Sequence, residues 1–232
     1  MTHLKPNDQR AKIAISLIFL VMIIRIISLY SDTLELQLLH SGFRQEEAEA
    51  NDLRQRIIGL IYLGVFIISV VTYINWFRRA YYNLHCRAEY LNYTESAAGY
   101  SWFIPFVNWV RPVKIMKELY LETENYLQKN AESYHLNINH NLITIWWTLW
   151  ITNNILGNIQ FRLSRNLVTM DDFINSNMFS MVNSLLSIPL AIFAILVIKE
   201  YTKMEPLFFI TNKIGEQTEL KSYHKTETST EE

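Results

Sequence analysis

The stretch Ala97–Tyr120, AAGYSWFIPFVNWVRPVKIMKELY, decides how the rest of the chain is read. It is apolar and Trp-rich, broken by Pro105, Asn108 and Pro112, and it then turns into a charged amphipathic segment. A helix rises about 1.5 Å per residue, so residues 97–110 cover roughly 21 Å of a ~30 Å hydrocarbon core, and Pro105 interrupts them. The stretch is therefore too short to cross a bilayer and too apolar for a loop in water. Two geometries satisfy its backbone: a shallow re-entrant dip, or an interfacial segment lying flat. A fifth span here is rejected on the same length argument.

Working outward, four apolar runs predict an all-α integral membrane protein with four transmembrane helices, at 13–30, 57–77, 142–161 and 178–198. The first continues through Arg25 to Tyr30 without a small-residue cleavage site, so it reads as an uncleaved span. The second ends in Tyr73, Trp76, Phe77, Arg78 and Arg79, an aromatic belt with a basic stop. The remaining segments are a cytoplasmic N-terminus 1–12, an external helical loop 31–56, a cytoplasmic region 78–141, an external loop 162–177 and a cytoplasmic tail 199–232. The cytoplasmic region holds the re-entrant or interfacial 97–110 and an amphipathic helix 112–127. The tail reads as disordered from about 215, where Thr, Glu, Lys and Ser dominate.

Charge sets the orientation. Of the 21 Lys and Arg residues, only Arg44, Arg54, Arg56, Arg162 and Arg165 fall between spans one and two or three and four. Apart from Arg25, the others fall on the side of the termini, which the positive-inside rule makes cytoplasmic, in a cell (inner) membrane. The net charge of −1 gives no reason to expect nucleic acid. A single cysteine, Cys86, excludes an intramolecular disulfide and any multi-cysteine metal site.

Three groups of residues stand out. Trp102, Pro105, Asn108, Arg111, Pro112, Lys114 and Lys117 form a candidate functional or structural interface at the cytoplasmic face, with Asn108 placed to bond backbone freed at Pro105. Arg25 with Thr144, Thr148, Thr152, Asn154 and Asn158 forms a candidate polar bundle interior. Ser180, Ser184, Ser187, Ala191 and Ala194 line one small face of the fourth span, a candidate helix-packing surface. Asp171 and Asp172 read as helix caps, and Trp76, Trp102, Trp109, Trp146 and Trp147 map to the cytoplasmic interface. His85, His135 and His140 read as loop histidines, and no catalytic, cofactor or metal motif is present.

The motifs WFRRAYYNL (76–84), WFIPFVN (102–108), Arg111-Pro112, MKELY (116–120), Trp146-Trp147, Trp150 and NILGNIQFR (154–162) resemble the bacterial family called domain of unknown function 4328. The resemblance covers roughly residues 55–200 and departs from the family at Trp109 and Tyr120. It implies a multi-pass bacterial membrane protein and carries no activity. The residues point first to a non-enzymatic membrane module that presents its cytoplasmic-interface surface to the lipid bilayer, an anionic lipid or a protein partner. A small oligomeric transporter or channel subunit is the alternative. An intramembrane lipid-modifying enzyme using Asn108, Arg111 and His85 is the weaker one.

Overall fold

The structure is a computed structural model that describes residues 3–88, 90–130, 137–165 and 167–211. The predicted tail from 215 and His135 lie outside the described residues. Among these residues the fold is helical with no strand: α1 (Asp8–Ser41), α2 (Gln45–His85), α3 (Glu95–Tyr100), a 3-10 turn over Val107–Trp109, α4 (Arg111–Asn130), α5 (Asn141–Leu163) and α6 (Met170–Met204).

Among the described residues three helices are long and apolar enough to cross a membrane: α1, α2, and α6 with its continuation to Thr211. All three outrun their apolar runs. The 41 residues of α2 extend about 60 Å at 1.5 Å per residue, twice the ~30 Å hydrocarbon core. Helix α5, which has 23 residues, is not among the three: Asn153, Asn154, Asn158, three threonines and three tryptophans interrupt its apolar run.

Local chemistry sets the helix ends. Gly42, at φ +73°, ends α1 in the left-handed conformation that glycine adopts without a Cβ clash. At the start of α2, the Glu47 carboxylate accepts the Arg44 backbone N–H at 2.9 Å, half of a capping box. At the start of α6 the box is complete: Thr169 N–H donates to Asp172 Oδ2 (2.8 Å), and Asp172 N–H donates to Thr169 Oγ1 (3.2 Å). Asp172 thus serves as a cap.

The chain divides into two compact units. One comprises Gln9–Trp76 and Asn141–Ile198, hence most of α1, α2, α5 and α6. Its α1, α2 and α6 expose a dense apolar set, among them Phe19, Ile27, Leu60, Phe66, Ile68, Val182 and Leu185. Water would not tolerate so much contiguous apolar surface, whereas lipid does. Inside this unit Tyr73, Trp76, Trp146, Trp147 and Trp150 form one aromatic cluster. Tyr73 packs on Trp76 and Trp146 at 5.6 and 6.0 Å, and Trp147 stacks on Trp150 at 4.5 Å. Trp76, Trp146 and Trp147 are buried there, so they are packing residues and not the outward belt their positions in sequence suggest.

The other unit comprises Met1–Asp8, Phe77–His140 and Lys199–Glu232. Its core joins Phe77, Tyr81 and Leu84 of α2 to Ile115, Met116, Leu119, Tyr120 and Leu127 of α4, and to Tyr201, Met204 and Phe208, all fully buried. Helix α4 buries one face and keeps Lys114, Lys117 and Leu121 exposed. Ile115 and Pro112 belong to that buried face, whereas Val113 and Tyr126 lie at its margins.

Candidate membrane-interface site

The site is built on α4 and the last turns of α2. Glu118 of α4 ties the connection before α3 into place. Its Oε2 accepts Tyr81 O–H at 2.5 Å, and its Oε1 accepts the backbone and side-chain N–H groups of Asn92 at 2.7 and 2.6 Å. Burial and the adjacent Glu118 carboxylate push the Tyr81 phenol well above its ordinary value. Glu118→Ala is expected to cost about 2–3 kcal/mol, because charge-assisted bonds are lost together and their donors are stranded. Thermal melting of the purified protein checks this; a loss below about 0.5 kcal/mol contradicts it.

Above this support, α3 packs with Ala97, Ala98 and Gly99 buried. A Cβ on Gly99 would sit 2.6 Å from Arg78 Cδ, so glycine lets the Arg78 stem lie flat on α3 while its guanidinium reaches Glu95 at 3.4 Å. Trp102 donates its indole N–H to Ala98 O at 3.1 Å and sets its ring edge-on to Phe77 at 6.4 Å. Trp102 is therefore an anchor.

Beyond that anchor the chain turns outward. Phe103 is 70% exposed and Phe106 88%, with Ile104, Trp109 and Val110 also exposed. Val107 N–H donates to Pro105 O at 2.8 Å, closing a γ-turn with Phe106 at its centre, at φ 63° and ψ −37°. This positive-φ form is rare and strained, and a bulky residue at its centre is rarer still. The expectation that the Asn108 side chain repairs the break at Pro105 is corrected. The γ-turn and the bond from Asn108 N–H to Ile104 O (3.0 Å) satisfy that backbone, and Asn108 Oδ1 is buried with no partner among the described residues.

Arg111 and Pro112 then start α4, with Pro112 buried at a first-turn position whose missing N–H costs nothing. Arg111 donates to Tyr100 Oη at 3.4 Å. With Lys114, Tyr93, Val107 and Val110 it lines an open cleft beside the exposed tip. Lys117 is exposed one turn further along. Trp102, Pro105, Asn108, Arg111, Pro112, Lys114 and Lys117 thus share one segment, with Trp102 and Pro112 facing inward and the cations outward. His85, in contrast, packs edge-on against Tyr81 at 5.0 Å, and no hydrogen bond or ring contact joins it to Asn108 or Arg111 among the described residues.

The candidate polar interior is arranged differently from its sequence pattern. Thr144, Thr148, Thr152 and Asn158 are exposed in the chain. Thr148 and Thr152 donate to the carbonyls of Thr144 and Thr148 at 2.9 Å, and Asn154 and Asn158 to those of Trp150 and Asn154 at 2.8 Å. Side chains that bond their own helix tolerate an apolar surround, so this arc needs no neighbour. The bonds from α5 to α6 come from other residues: Asn183 donates to Gln160 Oε1 at 3.1 Å, and Ser187 Oγ lies 2.9 Å from Asn153 Oδ1. On α6, Ser184, Ser187 and Ala191 are buried, and Ser180 and Ala194 are half-buried. Arg25 lays its guanidinium over the Tyr62 ring of α2 at 3.7 Å.

Two polar clusters escaped the sequence reading. Glu205, just past α6, is buried and accepts Asn83 Nδ2 at 2.7 Å and Asn7 Nδ2 at 3.1 Å on each oxygen. The same Asn83 accepts Lys5 N–H (3.0 Å) and donates to Lys5 O (2.9 Å), clasping the N-terminal segment. Burial pushes the Glu205 carboxyl up to about 7, with Asp8 raising it further and Arg79 opposing. The second cluster, around Asp32 and Glu35 of α1, lies beyond the apolar run 13–30. Burial pushes Asp32 up to about 6, the Ser180 and Gln55 bonds oppose this, and neighbouring Glu35 adds to the rise. Isolated Asn and Glu residues in polar segments carry no periodic signal, so neither cluster was legible.

No curated protein and no solved structure matches the chain. The family model "Domain of unknown function (DUF4328)" matches residues 41–203, from the end of α1 to the last turn of α6. That span includes the aromatic tip, the clasp residue Asn83 and the α5–α6 pairing, and on this match the chain belongs to the DUF4328 family.

Proposed function

We propose that the chain is a four-span inner-membrane module, with both termini cytoplasmic, that holds residues 97–120 against the anionic headgroups of the cytoplasmic leaflet. The exposed apolar tip, centred on Phe103 and Phe106 and followed at once by Arg111, Lys114 and Lys117, carries this reading. Apolar side chains at a loop tip gain by leaving water for the headgroup boundary, and cations beside them gain about 1 kcal/mol each near an anionic surface. The span added to α1, α2 and α6 is α5, whose backbone-bonded Thr and Asn side chains lower the cost of placing it in lipid.

Labelling tests this directly. Cys86 is the single cysteine, so Cys86→Ser with Phe106→Cys gives one thiol at the tip for an environment-sensitive fluorophore. In bilayers containing anionic lipid, lipids brominated near the headgroup are expected to quench the label at least about twofold more than an aqueous quencher does. Lys114→Glu with Lys117→Glu should lower the preference for anionic over neutral lipid by roughly fivefold or more. Quenching from water alone would sink the reading.

The oligomeric transporter or channel reading is less well supported. It uses the small face of α6 between subunits, whereas Ser184, Ser187 and Ala191 are already buried within one chain.

A further inference from the structure

Beyond Tyr120, the polar residues of α4 share one stripe. Glu122, Asn125, Lys129 and Asn130 follow the spacing of a single helix face, clear of the buried Thr123 and Leu127. This stripe is one wall of a cleft of about 480 Å³, and the chain leaving α2 is the other. Arg87 and Ala88 both donate their backbone N–H to Leu84 O at 2.8 Å, and Leu84 is fully buried, so the turn that carries Arg87 is fixed. Glu118 holds the far end of the same connection through Asn92. Tyr90, which also lines the cleft, is 88% exposed.

The cleft carries cations without counter-ions. Arg87 keeps its charge at any physiological pH, and its Nε is buried with no partner. Neither Arg87 nor Lys129 forms an ion pair among the described residues. Glu122 lines the same cleft and bonds neither of them, and Glu124 is taken by His140 at 2.8 Å. A desolvated guanidinium N–H is costly until an acceptor joins it, and the arginine fork matches the oxygens of a phosphate. On the opposite wall, Asn130 donates its amide to Tyr126 O at 2.8 Å, leaving Oδ1 as an acceptor for a hydroxyl.

We propose that this cleft binds a ribonucleoside monophosphate. Arg87 and Lys129 take the phosphate, Glu122 and Asn130 accept from the ribose hydroxyls, and Tyr90 stacks on the base. The volume lies within the roughly 300–1,000 Å³ of small-molecule sites, and a bare phosphate ion would leave most of it empty. Two cations against one carboxylate suit a single phosphate better than a triphosphate. An exposed aromatic face stacks with any base. A lipid phosphate presents the same oxygens, but its acyl chains need an apolar wall, and Ala88 is the one aliphatic residue among the described lining. Glu122 is eight residues beyond Lys114 on α4, about 12 Å along the helix, so the site does not rest on the lipid-facing tip.

Isothermal titration of the full chain in nonionic detergent micelles, in phosphate-free buffer at near-physiological ionic strength, tests this. The probes are adenosine 5′-monophosphate, adenosine, inorganic phosphate, ribose 5-phosphate and dihexanoyl phosphatidic acid. Wild type is expected to bind one adenosine monophosphate per chain, with adenosine and inorganic phosphate at least about tenfold weaker. Arg87→Gln should weaken the monophosphate at least about tenfold. Lys129→Gln, at an exposed position, guards against a variant that fails to fold and should weaken it about threefold or more. Tyr90→Ala should weaken the monophosphate and leave ribose 5-phosphate unchanged. Lys114→Glu with Lys117→Glu alters the tip alone and should leave these constants unchanged, so the lipid reading and this one fail separately. Wild type that does not bind the monophosphate overturns the proposal. So does wild-type binding by both Arg87→Gln and Lys129→Gln, or phosphatidic acid binding more tightly than the monophosphate.

Discussion

Glu205→Gln is expected to remove the larger and higher-pH part of the stability that wild type loses as pH rises from about 4.5 through 7, leaving the part due to Asp32, which is raised only to about 6. The Glu205 carboxyl is raised in the fold from 4.5 to about 7, first by burial and then by Asp8, against the pull of Arg79 and the donors Asn83 and Asn7. A raised folded value means that the fold prefers the protonated acid. Its contribution is fully present below the unfolded value near 4.5 and is lost as pH rises through 7. The size follows from the shift: about 1.4 kcal/mol per unit gives roughly 3 kcal/mol across the window. Wild type should therefore melt highest near pH 5 and lower at pH 8. Glutamine keeps an oxygen for the Asn83 amide and carries no charge, so the variant should lack the loss centred near pH 7 and keep only the decline that Asp32 gives up to about pH 6. Melting scans of both proteins from pH 4.5 to 8.5 decide it. Parallel curves would show that Glu205 titrates in the fold as it does in water.

Tyr120→Ala should destabilise the unit around α4 by about 3–5 kcal/mol, the range for emptying a fully buried aromatic site. Tyr120 is 0% exposed, packs on Tyr201 at 5.6 Å and meets His140 edge-on at 6.0 Å. Tyr201 is itself fully buried, so its ring has no solvent-side room to swing into the gap. Tyr120→Phe keeps the volume and should lose only about 1 kcal/mol for the hydroxyl. Chemical denaturation of the two variants separates them. Equal losses would mean that packing is not what Tyr120 supplies.

The helical class, three of the four membrane-length runs and the break at Pro105 were legible because they depend on near neighbours: apolar length, a proline, an acid close to a helix start. What failed to show depends on residues far apart in sequence. Asn83 and Glu205 are 122 positions apart, and Asp32 and Ser180 are 148. The α5 arc misled for a different reason. A hydroxyl can bond the carbonyl one turn back, so a polar stripe need not face a neighbour. Of the α5 residues, Asn153 and Gln160 reach α6, yet on the sequence they look no more interior than Asn154 or Asn158. The tryptophans misled because an aromatic near a membrane boundary serves equally well as a belt or as packing.

Phenylalanine is a poor choice for folding at the centre of the 105–107 γ-turn. Glycine would adopt φ 63° without a Cβ clash, and Phe106→Gly would relieve strain of order 1–3 kcal/mol. A sequence shaped by stability alone would drift toward glycine there. A conserved aromatic at position 106 across relatives would therefore record selection for what the ring does outside the fold, and drift to glycine would record that the ring does nothing.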